Sequence, residues 1–200
     1  MNTTYNLSAN RTTISPIIDE ATMVRLSQKG DQEMFASLYD TYLERIYRYV
    51  CCRVGDEHLA EDITSQVFLK AWENLASYQV GQSPFISWLY RIAHNAVIDH
   101  YRAKKITVPL EEIGLGKLSH HDNVDERLDG QIQSKKLRDA LKTLTDEQQQ
   151  VLLLKFVGGM STEEIAHHLG KHQGAIRALQ MRGLQGLAKL PTLQREQIYG

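Results

Sequence analysis

The dominant pattern along the chain is a helical spacing of apolar residues. It starts at Met23 with Val24 and Leu26, breaks at Lys29-Gly30-Asp31, and resumes as Met34, Phe35, Leu38, Tyr39, Tyr42, Ile46, Tyr49 and Val50. Recurrence at i, i+3 and i+4 builds a broad apolar stripe that must be buried. Gly55-Asp56 ends this helix, and Asp56 is placed to cap the next one. That helix spans Glu57 to about Leu75 and turns Leu59, Ile63, Val67, Ala71 and Leu75 inward. After a short loop, Ser83-Pro84 reads as N-cap and first residue of a third helix. Phe85, Trp88, Leu89, Ile92 and Ala96 form its inner side. Sustained alternation is absent, as are Asn-Gly and Asp-Gly hairpin turns. The expected fold class is all-α.

Residues 106–133 lose the period and contain three glycines and scattered acids. A connector of that length separates two domains rather than joining elements of one. Periodicity returns near Ser134. Thr145 and Gln148 form a capping box that opens DEQQQVLLLKFVGG, with Val151, Leu152, Leu154 and Phe156 expected to be buried. Ser161 and Glu164 form a second capping box, followed by Ile165, Ala166, Leu169 and then Gly170 at a left-handed helix stop. A last helix from about Gln173 places Ile176, Leu179, Gly183, Leu184 and Leu187 inward, and Arg177, Ala178, Met181, Arg182 and Gln185 outward. Helix, tight turn and a second helix with an outward cationic face is the helix-turn-helix pattern. The same spacing fits a helical hairpin with solvated arginines.

Composition changes this picture in a few places. The first 22 residues are polar and aperiodic and read as a disordered arm, and residues 191–200 read as a short tail. No apolar run approaches a membrane span, and the N-terminus lacks a signal-peptide pattern, so a cytoplasmic protein is expected. The adjacent Cys51 and Cys52 suit a reducing compartment. Formal net charge is −1, unpromising for a DNA binder. The charge is unevenly distributed, however. Residues 23–105 carry ten basic and ten acidic groups, 106–133 two against six, and 134–190 nine against five. An acidic connector thus lies between a neutral and a basic module.

Catalytic constellations are missing: the sequence holds no phosphate loop, nucleophile elbow or acid pair in apolar surroundings, and no enzyme activity or cofactor is expected. His120-His121 and His167-His168 with His172 lack a further ligand at metal spacing. The third helix is more informative. Its far end carries His94, Asn95, His100, Arg102, Lys104 and Lys105. Basic residues there complement the helix dipole. Combined with aromatics and an amide, they also suit unpaired DNA, since aromatics stack bases while cations hold phosphates.

The ordered series GDQEMFASLYDTYLERIYRYV, AEDITSQVFLKAW, PFISWLYRIAHNAVIDHYR, acidic linker and LTDEQQQVLLLKFVGGMSTEEIAHHLGKHQGAIRALQMRGL resembles bacterial RNA polymerase sigma factors of the extracytoplasmic-function (ECF) group, in the sigma-70 family. The resemblance covers about residues 23–190. It implies a core-binding and −10-recognition domain over 23–105, a linker over 106–133 that threads toward the polymerase active-site cleft, and a −35-recognition domain over 134–190. It implies three partners: the clamp helices of the polymerase largest subunit, promoter DNA and an anti-sigma factor. By position, Asp62, Gln66 and Lys70 fall at the core-docking face. The loop Tyr78 to Ser83, including Gln82, falls with Asn95 where a flipped −10 base is held, and Arg102, Lys104 and Lys105 fall beside the adjacent phosphates. Arg177, Ala178, Met181 and Arg182 fall where the −35 major groove is read.

Some positions depart from the family pattern. Ser65-Gln66 replaces a more acidic pair, His172 stands where Ser or Thr caps the recognition helix, Leu179-Gln180 replaces an Arg-Leu pair, and Gly183 and Gly186 burden a helix. The competing readings are a stand-alone helix-turn-helix regulator with an N-terminal sensor or interaction domain, a structural module without DNA contact, and a nucleic-acid enzyme. The first half separates them, because it offers a basic, aromatic helix rather than a ligand pocket, a phospho-acceptor or a metal-holding acid cluster.

Overall fold

The computed structural model describes residues 18–107 and 136–190. Helices α1 (Glu20–Gln28), α2 (Gln32–Val54), α3 (Glu57–Glu73) and α4 (Phe85–Thr107) form one group, with a single 3-10 turn (Leu75–Ser77) between the last two. A helical segment over 136–142, here α5, precedes α6 (Asp146–Phe156), α7 (Thr162–Leu169) and α8 (Gln173–Ala188). No strand occurs among the described residues. The first two residues of the expected linker, 106 and 107, are the end of α4; the rest of the linker, most of the N-terminal arm and the tail lie outside the described residues.

The helix starts follow local chemistry. Asp19, Asp31 and Asp56 each accept backbone N–H bonds at the head of α1, α2 and α3. Residues 20–22, expected in the arm, are therefore the first turn of α1. In the first group, Leu38, Ile46, Tyr49 and Val50 of α2 meet Ile63 and Val67 of α3 and Phe85, Leu89 and Tyr90 of α4, all buried. Tyr49 and Tyr90 sit 5.1 Å apart between ring centres, and burial pushes both hydroxyls up. In the second group, Val151, Leu152 and Leu154 of α6 pack with Ile165, Ile176 and Leu179.

Two inward expectations fail in this second group. Phe156 is 63% exposed, because α6 ends there and the burial passes to Gly158 and Met160. Leu184 is also exposed: the buried line of α8 runs through Ile176, Leu179 and Gly183, and Leu184 lies a further 100° round the helix.

The groups meet along α2 and α4. Arg45 donates to the Gly158 carbonyl at 2.6 Å, Arg53 pairs with Asp146 at 2.6 Å, and Arg91 donates to the His168 carbonyl at 3.4 Å. His94 Nε2 stands 3.9 Å from Asp146. His168 is buried in this contact, which pushes its imidazole down to about 4, with the nearby Arg91 acting in the same direction.

Candidate nucleic-acid and docking surfaces

The helix-turn-helix is fixed at both of its starts. Ser161 Oγ accepts the Glu164 N–H at 3.1 Å, and Glu164 Oε2 accepts the Ser161 N–H at 2.7 Å. Those bonds hold the Glu164 carboxyl below its usual range. Gly170 closes α7 at φ 62°. At α8, His172 replaces the usual hydroxyl cap and does its work, with Nδ1 accepting the Ala175 N–H at 3.0 Å. Arg177, Ala178, Met181 and Arg182 are all exposed on the face opposite Ile176 and Leu179. Arg177 reaches back to Gln173 at 3.3 Å and Arg182 to the Ala178 carbonyl at 3.3 Å.

The glycines of α8 have a packing cause. A Cβ on Gly183 would stand 3.0 Å from Leu152 Cδ1, and one on Gly186 would stand 3.0 Å from Leu144 Cδ2. At Gly183 and Gly186 the helix accepts a propensity cost of about 0.5–1 kcal/mol each and lies close to α6 and to Leu144 just before it.

The residues expected at the −10 site divide between two hollows. One, of about 440 Å³, is lined by Gln82, Ser83 and Tyr78 of the loop together with Glu20 and Arg25 of α1. Gly81, at φ +94°, supplies the loop's left-handed turn, with open space around its Cα rather than a close neighbour. Tyr78 is only 7% exposed; its hydroxyl donates to the Ser83 carbonyl at 2.6 Å, and its ring packs on Phe85 and Trp88. It therefore braces the loop from beneath. Burial pushes the hydroxyl up, and the Glu20 carboxylate adds to this.

Asn95 lies in the second hollow, of about 350 Å³, with Lys70, Trp88 and Arg91. Lys70, expected among the docking residues, thus faces Asn95 across that hollow. Arg91 and Trp88 were legible in principle, since they lie four and seven residues before Asn95 on one helix face. Arg102 is exposed, 4.0 Å from Asp99; Lys104 is exposed, and Lys105 follows on α4.

Asp62 and Gln66 are exposed on α3. Beside them runs an apolar groove that combines stripe residues of α2 with residues of α3 off its inward line. Phe35, Tyr39, Phe68, Leu69 and Trp72 line it, with Phe35 edge-on to Trp72 at 4.8 Å and Tyr39 edge-on to Phe68 at 4.6 Å. Leu69 is 58% exposed and Trp72 36%. Both apolar residues fall off the Ile63–Val67–Ala71 line, which was the available signal.

Known proteins resemble this chain over most of its length. Residues 38–106 match the family model for Sigma-70 region 2, and residues 134–187 match that for Sigma-70, region 4. The chain is 34% identical to the ECF RNA polymerase sigma factor BldN of Streptomyces coelicolor, over 86% of this chain and 67% of BldN. It is 31% identical to SigW of Bacillus subtilis, over 83% and 93% of the two chains. The fold is similar to that of CnrH in complex with the cytosolic domain of CnrY, at a TM-score of 0.67 and 20% identity, covering 87% and 97% of the chains. It is also similar to RpoE of Bartonella quintana in complex with the anti-sigma factor NepR, at 0.63 and 21%, covering 80% and 98%. With both sigma-70 regions matched and relatives of 34% and 31% identity along most of its length, this protein belongs to the ECF RNA polymerase sigma factors of the sigma-70 family.

Proposed function

We propose that this sigma factor brings core RNA polymerase to promoters by reading the −35 element as duplex through α8 and the −10 element as melted DNA through α4 and the loop before it. The observation that carries this reading is the pairing, in one chain, of an exposed Arg177–Arg182 helix face with two hollows of mixed polar and apolar lining beside an aromatic helix. Major-groove readout needs donors on a helix narrow enough to enter, and a bidentate arginine contact supplies about 1–3 kcal/mol of discrimination. Melted DNA needs stacking faces and amides, which Trp88 and Asn95 offer, with Arg102, Lys104 and Lys105 along the adjacent phosphates.

Core docking falls to Asp62 and Gln66, together with the apolar groove of Leu69 and Trp72; Lys70 serves either this face or the second hollow. Residues 23–105 and 134–190 act as the two reading modules, and the acidic segment 106–133 runs toward the active-site cleft. The chain works in the cytoplasm beside polymerase and contributes recognition and melting rather than a reaction of its own. An anti-sigma partner fits the same scheme by covering the faces that polymerase uses.

The test is runoff transcription from genomic fragments with core polymerase and the purified chain. Promoter-specific products that depend on the chain support the reading, and Asn95→Ala should keep core binding yet lose thymine reactivity to permanganate on duplex promoters. DNA binding without polymerase, and no specific runoff with it, would favour the stand-alone regulator instead.

A further inference from the structure

The loop between α3 and α4 is held by a helix that lies far from it in sequence. Gln28 Nε2, at the end of α1, donates to both the Leu75 carbonyl at 3.0 Å and the Tyr78 carbonyl at 2.8 Å. At the other end of α1, Glu20 Oε1 accepts the Phe85 N–H at 3.2 Å, and Glu20 Oε2 accepts the Tyr42 hydroxyl. The first N–H groups of a helix lack internal partners, and this one is served by a carboxylate 65 residues away rather than by Ser83. Tyr78 and Ser83 tie the loop to itself. The loop is thus fastened at its entrance, across its middle and at its exit, and two of the three fastenings come from α1.

Eight helical steps take α1 from Glu20 to Gln28, a rigid strut of about 12 Å at 1.5 Å per residue. The strut also walls the hollow: Glu20, Ala21, Val24 and Arg25 face Tyr78, Val80, Gly81, Gln82, Ser83 and Pro84 across it.

We infer that α1 is part of the −10 site: Glu20 and Gln28 are positioning residues that hold loop 78–84 in the conformation that receives an unpaired base, and α1 closes the hollow's far wall. This rests on the proposed reading of the loop as a base-holding element. A loop left loose would lose part of its binding energy to ordering on contact, whereas a fastened one is preorganised. A brace that merely stabilised the helical group would affect every activity of the chain alike. A positioning brace affects the response to the base in the hollow.

The experiment uses the full chain with core polymerase on pre-melted promoter templates, in which each −10 base in turn is replaced by an abasic residue. Wild-type holoenzyme is expected to lose roughly tenfold in affinity at the position that enters the hollow, the loss expected when a base's hydrogen bond and packing against Gln82, Ser83 and the α1 wall are removed. Gln28→Ala and Glu20→Ala should bind core normally but bind intact and abasic templates nearly alike. Glu20→Gln keeps an acceptor for the Phe85 N–H and should restore the tenfold difference, even if Glu20→Ala proves poorly folded by circular dichroism. If wild type discriminates and Gln28→Ala and Glu20→Ala discriminate equally well, the role of α1 is overturned while the reading of the loop stands. If wild type responds to no abasic position, the reading of the loop falls and the inference falls with it.

Discussion

The Arg53 guanidinium, with only 4% of its side chain exposed, lies 2.6 Å from the Asp146 carboxylate, joining the last turn of α2 to the first turn of α6. A charge so deeply buried is costly without its partner. Arg53→Ala and Asp146→Ala should each loosen the contact between the two helical groups, with a coupling of about 1–3 kcal/mol in a double-mutant cycle. Urea denaturation of the four chains gives that number, and small-angle scattering reports the accompanying expansion. Strictly additive effects would show that the pair contributes nothing.

His168 gives the same contact a pH dependence. In the docked form its imidazole is pushed down to about 4 by burial first, then by Arg91, His94 and His167, and His94 is itself lowered by burial and by Arg53, against the opposing pull of Asp146. Released into water, the ring titrates near its ordinary value of about 6.5. Between those values the released form holds the extra proton, so acid favours release. Docking should be at full strength above about pH 6.5, weaken as pH falls toward 4, and level off below. Radius of gyration against pH checks this, and His168→Gln should flatten most of the slope.

Core docking is expected to depend on the exposed aromatic as much as on charge. Trp72→Ala removes the ring that stands edge-on to Phe35, and truncation of such an anchor commonly costs at least about 2 kcal/mol of binding, more than tenfold in affinity. Asp62→Arg should weaken binding by a different route, with stronger salt dependence. Fluorescence titration of core polymerase with labelled chain measures both. Wild-type affinity in Trp72→Ala would place the docking face elsewhere.

At the recognition helix, Arg177→Ala and Arg182→Ala should depress transcription in proportion to the match of the −35 element, by roughly tenfold on a consensus sequence. Transcription from promoters with and without that element separates base reading from general electrostatic loss. Equal loss on both classes of promoter would remove these arginines from sequence reading.

Most of the helices were legible because their signals are local. Asp56, the Thr145–Gln148 and Ser161–Glu164 boxes and Gly170 each act within a few residues, and each stands in its expected role. What the sequence hid was non-local. Ser83 looked like the cap of α4, but the acceptor is Glu20, in a stretch that composition assigned to a disordered arm. Tyr78 looked like a stacking face, and no local pattern indicates that its hydroxyl turns back to Ser83. Gln149 and Gln150 are buried because α6 is covered both by its own group and by α2, a contact made across a long gap in sequence. The family resemblance named candidate surfaces but could not say that Lys70 and Asn95 share one hollow.

The close seating of α8 on Leu152 and Leu144 has a practical consequence for anyone wishing to retarget this protein. Transplanting a recognition helix from a relative is the obvious way to change the promoters it serves. A donor helix with alanine at the Gly183 and Gly186 positions would need Leu152 and Leu144 to give by a few tenths of an ångström, and a larger residue would need more, so the seating of its reading face depends on those two leucines. Residues 144 and 152 therefore travel with the graft: the portable unit is a helix together with the shelf it rests on.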